Sequence, residues 1–273
     1  MPRALIVGAL ALLLAAPASA QDSEDWDFGH DADRDLTIAA VTFDNFGVAV
    51  RCLDQTLSVV VSGVQAVEGE QNIRFSMADN AEADTAWVGS RNGTSLFSIW
   101  PASIAAFLRE GGRLFLGVSD GERVRRMAVD LPASPSAIDR VFAACEREIP
   151  GRGQAQVDSE SLVGLRWRDI PQPVFPPRTG SASGIAALRC TTDANGAPRD
   201  CRVESEFPEG GGFGRAAVLG AHRNGRVALA AGATGEIGAR FIAFVVRYNV
   251  ASIELQPPSR LGNDRATSRP PGN

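Results

Sequence analysis

Residues 184–206 read Gly184-Ile-Ala-Ala-Leu-Arg-Cys190-Thr-Thr-Asp193-Ala-Asn195-Gly196-Ala-Pro198-Arg-Asp-Cys201-Arg-Val-Glu204-Ser-Glu206. Two β-prone runs flank Asn195-Gly196, a strong short-range signal for a hairpin turn. On the first run Ile185, Ala187 and Arg189 take one face, and Ala186, Leu188 and Cys190 the other. A two-residue turn at Asn195-Gly196 sets Cys190 directly opposite Cys201. Counted out from the turn, they form a hydrogen-bonded pair with a Cα spacing of about 5.5 Å, inside disulfide range. A three-residue turn with a bulge at Gly196 is the alternative, and it shifts the register by one. Pro198 falls opposite Asp193, where no amide donor is demanded.

Downstream, Gly212-Phe213-Gly214-Arg215-Ala216-Ala217 opens a short helix, with Phe213, Ala217, Val218 and Ala221 turned toward the sheet. The run Phe241–Val250 alternates again: Ile242, Phe244, Val246 and Tyr248 against Phe241, Ala243, Val245 and Arg247. These elements predict a ββαβ unit with a three-stranded antiparallel sheet under one helix, spanning 167–255. A disulfide suits a unit so small.

Upstream, 36–149 predicts short strands broken by turns: Leu36–Phe43, Gly47–Leu53, Leu57–Val61, Ile73–Met77, Thr85–Val88 and Ser95–Trp100. Pro101 starts a helix that Gly111-Gly112 closes. A hairpin joins Arg113–Val118 to Val124–Leu131, and a second helix runs from about Ser136 to Arg147. The expected fold class is α+β: an N-terminal β-rich, sandwich-like domain with two helices, plus the small C-terminal ββαβ domain. Residues 150–166 read as a linker and 256–273 as a Pro- and Gly-rich disordered tail.

Arg3, the apolar run Leu5–Ala16 and Ala18-Ser19-Ala20 have the form of a cleavable secretory signal, residues 1–20. An acidic leader, 21–35, follows. Within it Asp31-Ala-Asp33-Arg-Asp35 starts like a calcium loop. Leu36 and Thr42 then stand where Gly and Glu are needed, so a solvated segment is expected. Export makes the four cysteines candidates for disulfides, with three pairings open. The most economical has one pair in each half, Cys190–Cys201 and Cys52–Cys145.

All 27 basic residues are Arg. Without Lys there is no Schiff base, P-loop lysine or Ser-Lys dyad. With His30 and His222 alone, a multi-histidine metal site cannot form within one chain. Gly180-Ser-Ala182-Ser-Gly184 places Ala182 where a nucleophile elbow needs Ser. Glu204 and Glu206 form a carboxylate pair of glycosidase type, or simply polar strand surface, which is expected. No cofactor, metal or catalytic residue is expected. Residues 21–150 carry 21 acids and 11 Arg, and 151–273 carry 11 acids and 15 Arg. The asymmetry fits two modules with different partners.

The ordered motifs Pro171-Gln-Pro173-Val-Phe175-Pro176, Asp193-Ala-Asn195-Gly196, Gly212-Phe213-Gly214-Arg215 and the last strand resemble the TonB C-terminal domain family, in its Cys-containing subgroup. The resemblance covers about 167–250. It implies a protein-interaction module facing the periplasmic side of outer-membrane transporters, to which a receptor segment adds as a β-strand. It points to the edge of Phe241–Val250 as the docking strand, with Arg240, Phe241, Ala243, Val245, Arg247 and Asn249 as partner-binding residues. The family's permanent membrane anchor and long Pro-rich spacer are not seen, and Gly225–Gly235 is inserted after the helix. Arg51-Cys52, Trp100-Pro101-Ala102 and Ala143-Ala144-Cys145 resemble β-rich periplasmic domains of invasion-associated or secretion-accessory type.

The leading expectation is an exported periplasmic protein whose partner is another protein, possessing no membrane span after signal cleavage and binding no nucleic acid. The rival is an envelope or secretion accessory in which the TonB-like fold is structural. A third is a periplasmic hydrolase with its site between the modules.

Overall fold

The computed structural model describes residues 26–78, 80–119, 123–150, 160–177 and 180–249, and the backbone of 252–254. The expected signal peptide, the start of the leader, most of the linker, the hairpin tip at 120–122 and the expected tail lie outside the described residues.

The N-terminal half runs β1 (Asp27–Asp31), β2 (Leu36–Thr42), β3 (Gly47–Leu53), β4 (Thr56–Ser62), β5 (Gly69–Met77), β6 (Ala83–Gly89), β7 (Ser95–Ser98), α1 (Pro101–Glu110), β8 (Gly112–Ser119), β9 (Val124–Leu131) and α2 (Pro135–Ala144). All nine strands join one antiparallel sheet, ordered β1-β2-β3-β4-β7-β6-β5-β8-β9. The expected sandwich-like arrangement is thus one continuous sheet, and both helices contribute to its core. Alternation drives it: Val48, Val50 and Cys52 of β3 are buried, as are Leu57, Val59 and Val61 of β4. Ile104, Leu108, Ile138, Val141 and Phe142 supply the helical side of the same cluster. Cys145, the residue after α2, is bonded to Cys52 of β3 with Cα atoms 5.5 Å apart.

The acidic leader departs from a solvated segment. Its residues 27–31 pair with β2, because an edge strand needs only backbone donors and acceptors on one side. Trp26 is buried and donates from Nε1 to the Pro132 carbonyl at 2.9 Å. Asp31, the first of the three alternating acids, caps a short turn by accepting from the amides of Asp33 and Arg34.

The C-terminal half runs β10 (Leu165–Asp169), β11 (Ser183–Thr192), β12 (Pro198–Phe207), α3 (Phe213–Asn224), β13 (Arg226–Leu229), β14 (Phe241–Asn249) and β15 (Ser252–Glu254). The expected three strands are present in the order β12-β11-β14, with β15 added beyond β14. The inserted segment after α3 contains β13, which pairs with β10. Part of the expected linker is structured too. Leu162 and Leu165 are buried, and Ser161 bridges Ala243 of β14.

The hairpin turn takes the alternative form. Asp193 accepts from the Gly196 amide, Gly196 has φ 77°, and Thr192 faces Pro198, one step off the two-residue register. An irregularity between Arg189 and Thr191, with Asp200 at φ 46°, returns Arg189 opposite Arg202. Cys190 and Cys201 are therefore bonded, but with Cα atoms 4.0 Å apart rather than at the wide spacing. Gly196 cannot be replaced cheaply. A Cβ there would lie 2.1 Å from the Val227 carbonyl oxygen, and the left-handed φ already favours glycine.

Sequence alternation sorts the two faces of this sheet. Ala186, Leu188, Cys190, Ile242, Phe244, Val246 and Tyr248 join α3 in one core. Phe213 is fully buried there, in edge contact with Phe175 at 5.6 Å and tilted on Tyr248 at 4.9 Å. The Tyr248 hydroxyl donates to the Phe213 carbonyl at 3.0 Å. Ala187, Ala243, Val245 and Phe207 form the other face. They pack on Ile99 and Trp100 and on the outer side of β6 and β7.

Candidate functional site

The contact between the two sheets brings together most of the chemistry the sequence scatters. Arg247 of β14 reaches across to Glu70 of β5 with its Nε–Nη2 edge and donates from Nη1 to Glu160 at 3.0 Å. Arg51 of β3 donates from Nη2 to both carboxylate oxygens of Glu209, at 2.7 and 2.9 Å. The Ser205 hydroxyl donates to the Ile99 carbonyl at 2.7 Å. Such paired charges fix orientation more than they add net stability. Burial pushes the Glu160 carboxyl above its ordinary range, with Arg247 opposing. Burial also works against the Arg247 charge, but its hydrogen bonds to Glu70 and Glu160 and the charges of those two acids outweigh that and raise its pKa.

These contacts decide where the expected docking residues lie. Ala243 and Val245 are buried against the N-terminal half. The Ala243 amide donates to the Ser161 carbonyl at 2.8 Å, and its carbonyl accepts from the Ser161 amide at 2.7 Å. The Val245 backbone lies near enough to the Glu160 carboxyl to help Arg247 oppose its upward shift. Arg247 and Asn249 face Glu254 and Ser252 of β15. The β14 edge expected to be open is thus occupied at Ala243 and at Arg247–Asn249 by the chain itself. The guanidinium of Arg240 turns to the carbonyls of Val163 and Thr234, at 3.4 and 3.1 Å. Phe241 stays 72% exposed.

The remaining motif residues are structural. Pro173 packs against Gly220, where a Cβ would come within 2.7 Å of the proline backbone. Pro176 lies near Gly212, whose φ of 77° starts α3. Glu206 accepts from the amides of Gly212 and Gly214, at 3.2 and 2.6 Å, and so caps the helix from the neighbouring strand.

Beside this junction lies a cleft of about 700 Å³. Its walls are the start of α1 at Ala102, the exit from α2 at Arg147–Pro150, Ser161, Val163, and facing stretches of β11, β12 and β14. Glu204 lies in its wall, not on a polar surface as expected. A break in the β11–β12 register between Val203 and Ser205 turns it toward the N-terminal half. It is 4% exposed and is shared between two guanidiniums, Arg147 at 3.3 Å and Arg189 at 3.6 Å. Arg147 also donates to the Val203 carbonyl. Arg189 donates to the Ser103 hydroxyl at 3.0 Å and stands 5.4 Å from the Trp100 ring centre. Burial pulls the Arg147 pKa down. Glu204 opposes that shift, while Arg202 and then Arg189 add to it.

Two atoms of this cluster, Arg189 Nε and Glu204 Oε2, are buried without a hydrogen-bond partner. The cleft escapes a linear reading because its charged residues come from three distant segments. The available signal was the alternation of β11, which puts Arg189 on the same face as Ala187. Neither His30 nor His222 lines it. His30 meets the Thr37 hydroxyl at 2.9 Å, and His222 lies in the last turn of α3.

No protein-family model matches this chain, and no curated protein or solved structure is significantly similar to it. The two disulfides suit an exported protein. Among the described residues no helix is long and apolar enough to cross a membrane.

Proposed function

We propose that this chain is an exported periplasmic accessory of the cell envelope that acts by binding a protein, not by catalysis, and in which the TonB-like fold is a structural partner of the N-terminal sheet. The observation that carries this reading is the internal use of β14. Its backbone edge is taken by Ser161 at Ala243 and by β15 at Arg247–Asn249. Its outward side chains are taken by Trp100 and Glu70. A strand engaged on both its edge and its face has little left to offer a receptor segment. The cleft beside it, with its exposed Phe241, offers a surface for a partner.

A second reading keeps β14 as a docking edge. Its support is that β15 contributes only three residue pairs, at Arg247–Asn249, and so short a pairing is readily displaced. Titration of the mature chain with receptor-box peptides, followed by amide NMR, separates the two. The accessory reading expects no shifts at residues 243–249. Saturable shifts there would establish strand addition and overturn it.

A further inference from the structure

We propose that the cleft between the sheets takes up the C-terminal end of an extended polypeptide, with the terminal carboxylate on Arg202 and Arg189 and the last apolar side chain on Phe241. This deepens the binding function proposed above and rests on it. Four observations lead to it. The cleft volume of about 700 Å³ is in the range of ligand-binding clefts, roughly 300–1,000 Å³. It accommodates a chain end rather than a folded surface.

The charge pattern selects a single carboxylate. Glu204 alone serves both Arg147 and Arg189, so that trio keeps a net positive charge. Arg202, exposed on the same wall, has no ion-pair partner among the described residues. Asp200 and Glu148 also line the cleft, and the Asp200 carboxylate takes the Thr191 hydroxyl at 3.0 Å. With three acids beside three guanidiniums, a polyanion is repelled where one planar carboxylate is held by forked guanidinium donors. After burial, Arg202 and Arg189 also lower the Arg147 pKa, so the three guanidiniums crowd one wall although the lining as a whole is charge-balanced.

The unsatisfied groups are one donor, Arg189 Nε, and one acceptor, Glu204 Oε2. Buried groups left in this condition call for a partner. A peptide terminus supplies both complements, a carboxylate to accept and an amide N–H to donate. A fatty acid supplies only the first. Finally, Phe241 and Val163 are each 72% exposed at the cleft wall. The Ser161 bridge ends at Ala243. Two residues along β14, the backbone of Phe241 points the same way and has no strand partner there among the described residues.

The test uses the oxidised mature chain and acetylated tetrapeptides ending in Phe or Leu, as free acids and as amides, with decanoate as a third probe. Calorimetric titration should show the acids binding at least about tenfold more tightly than the amides. Arg202→Ala and Phe241→Ala, both at exposed positions, should each weaken the acid form at least about fivefold without lowering Tm. Equal binding of acid and amide, no binding of either, or indifference to both substitutions would overturn the proposal. Decanoate binding as tightly as the peptides would overturn it too, by reducing the site to one for a carboxylate on any apolar body. Failure here leaves the amide signals of residues 243–249 unaffected, so the two proposals fall separately.

Discussion

Replacing Trp100 by Ala is expected to cost about 3–5 kcal/mol and to split the unfolding of the chain into two transitions. Trp100 is 2% exposed and sits where α1 begins, packed with Ile99 against Ala187, Ala243 and Val245 of the C-terminal sheet. Its ring also lies beside the Arg189 guanidinium. Removing it opens a cavity at the junction itself, where neither sheet can close the gap without giving up its own strand pairing. Trp87 provides the control. It is equally buried, but within the N-terminal core, with Nε1 donating to the Thr85 hydroxyl at 2.7 Å. Trp87→Ala should cost a similar amount and leave a single transition. Urea unfolding followed by far-UV circular dichroism and by calorimetry measures both. A Trp100→Ala chain that still unfolds in one step, with a loss below about 1 kcal/mol, would mean that the two sheets are not energetically joined there.

The second large effect belongs to Cys52–Cys145. Replacing both by Ser frees a loop of 93 residues of sequence separation, and the chain-entropy model assigns about 4–5 kcal/mol to such a closure. Cys190–Cys201 closes a separation of only 11, for which the same model gives about 3 kcal/mol. The two double variants should therefore rank in that order in urea. The ranking has a structural reason beyond loop length. Cys190 and Cys201 lie on strands already paired along a hairpin, whereas Cys52 and Cys145 join the sheet to the last turn of α2. If the Cys190–Cys201 variant proved the less stable, local strand pairing would depend on its disulfide more than loop entropy allows.

Much of the fold could be read from periodicity. The alternation on β11 and β14 assigns each side chain to its observed face, and Pro101 and Gly111 bound α1 as expected. The elements that escaped are the short ones. β1, Asp27–Asp31, mixes acidic and apolar residues without a pattern because it is an edge held by its neighbour's backbone. β10 and β13 pair only with each other, and neither has a run long enough to show a period. The hairpin register depended on whether Gly196 closed a two- or three-residue turn, which the Asn-Gly pair alone does not decide.

The candidate site was far less legible. Phe241, Ala243 and Val245 were singled out as an outward row, and they do form one. Trp100 and Ser161 cover Ala243 and Val245, and Glu70 takes the neighbouring Arg247, while Phe241 stays exposed. Ser161 is 82 residues from Ala243 in sequence, and Glu70 is 177 from Arg247. Glu204 read as strand surface because its burial follows from an irregular register, and nothing in the local residue pattern announces that irregularity.

The most direct test of the account is residue-resolved hydrogen exchange of the β14 amides in the free, oxidised protein. Ala243 and Arg247 are predicted to be protected to a degree comparable with the central strand β11, because their edge partners lie within the chain. Exchange of these two at the rate of open amides, beside a protected β11, would contradict it and return β14 to the role of an exposed docking edge.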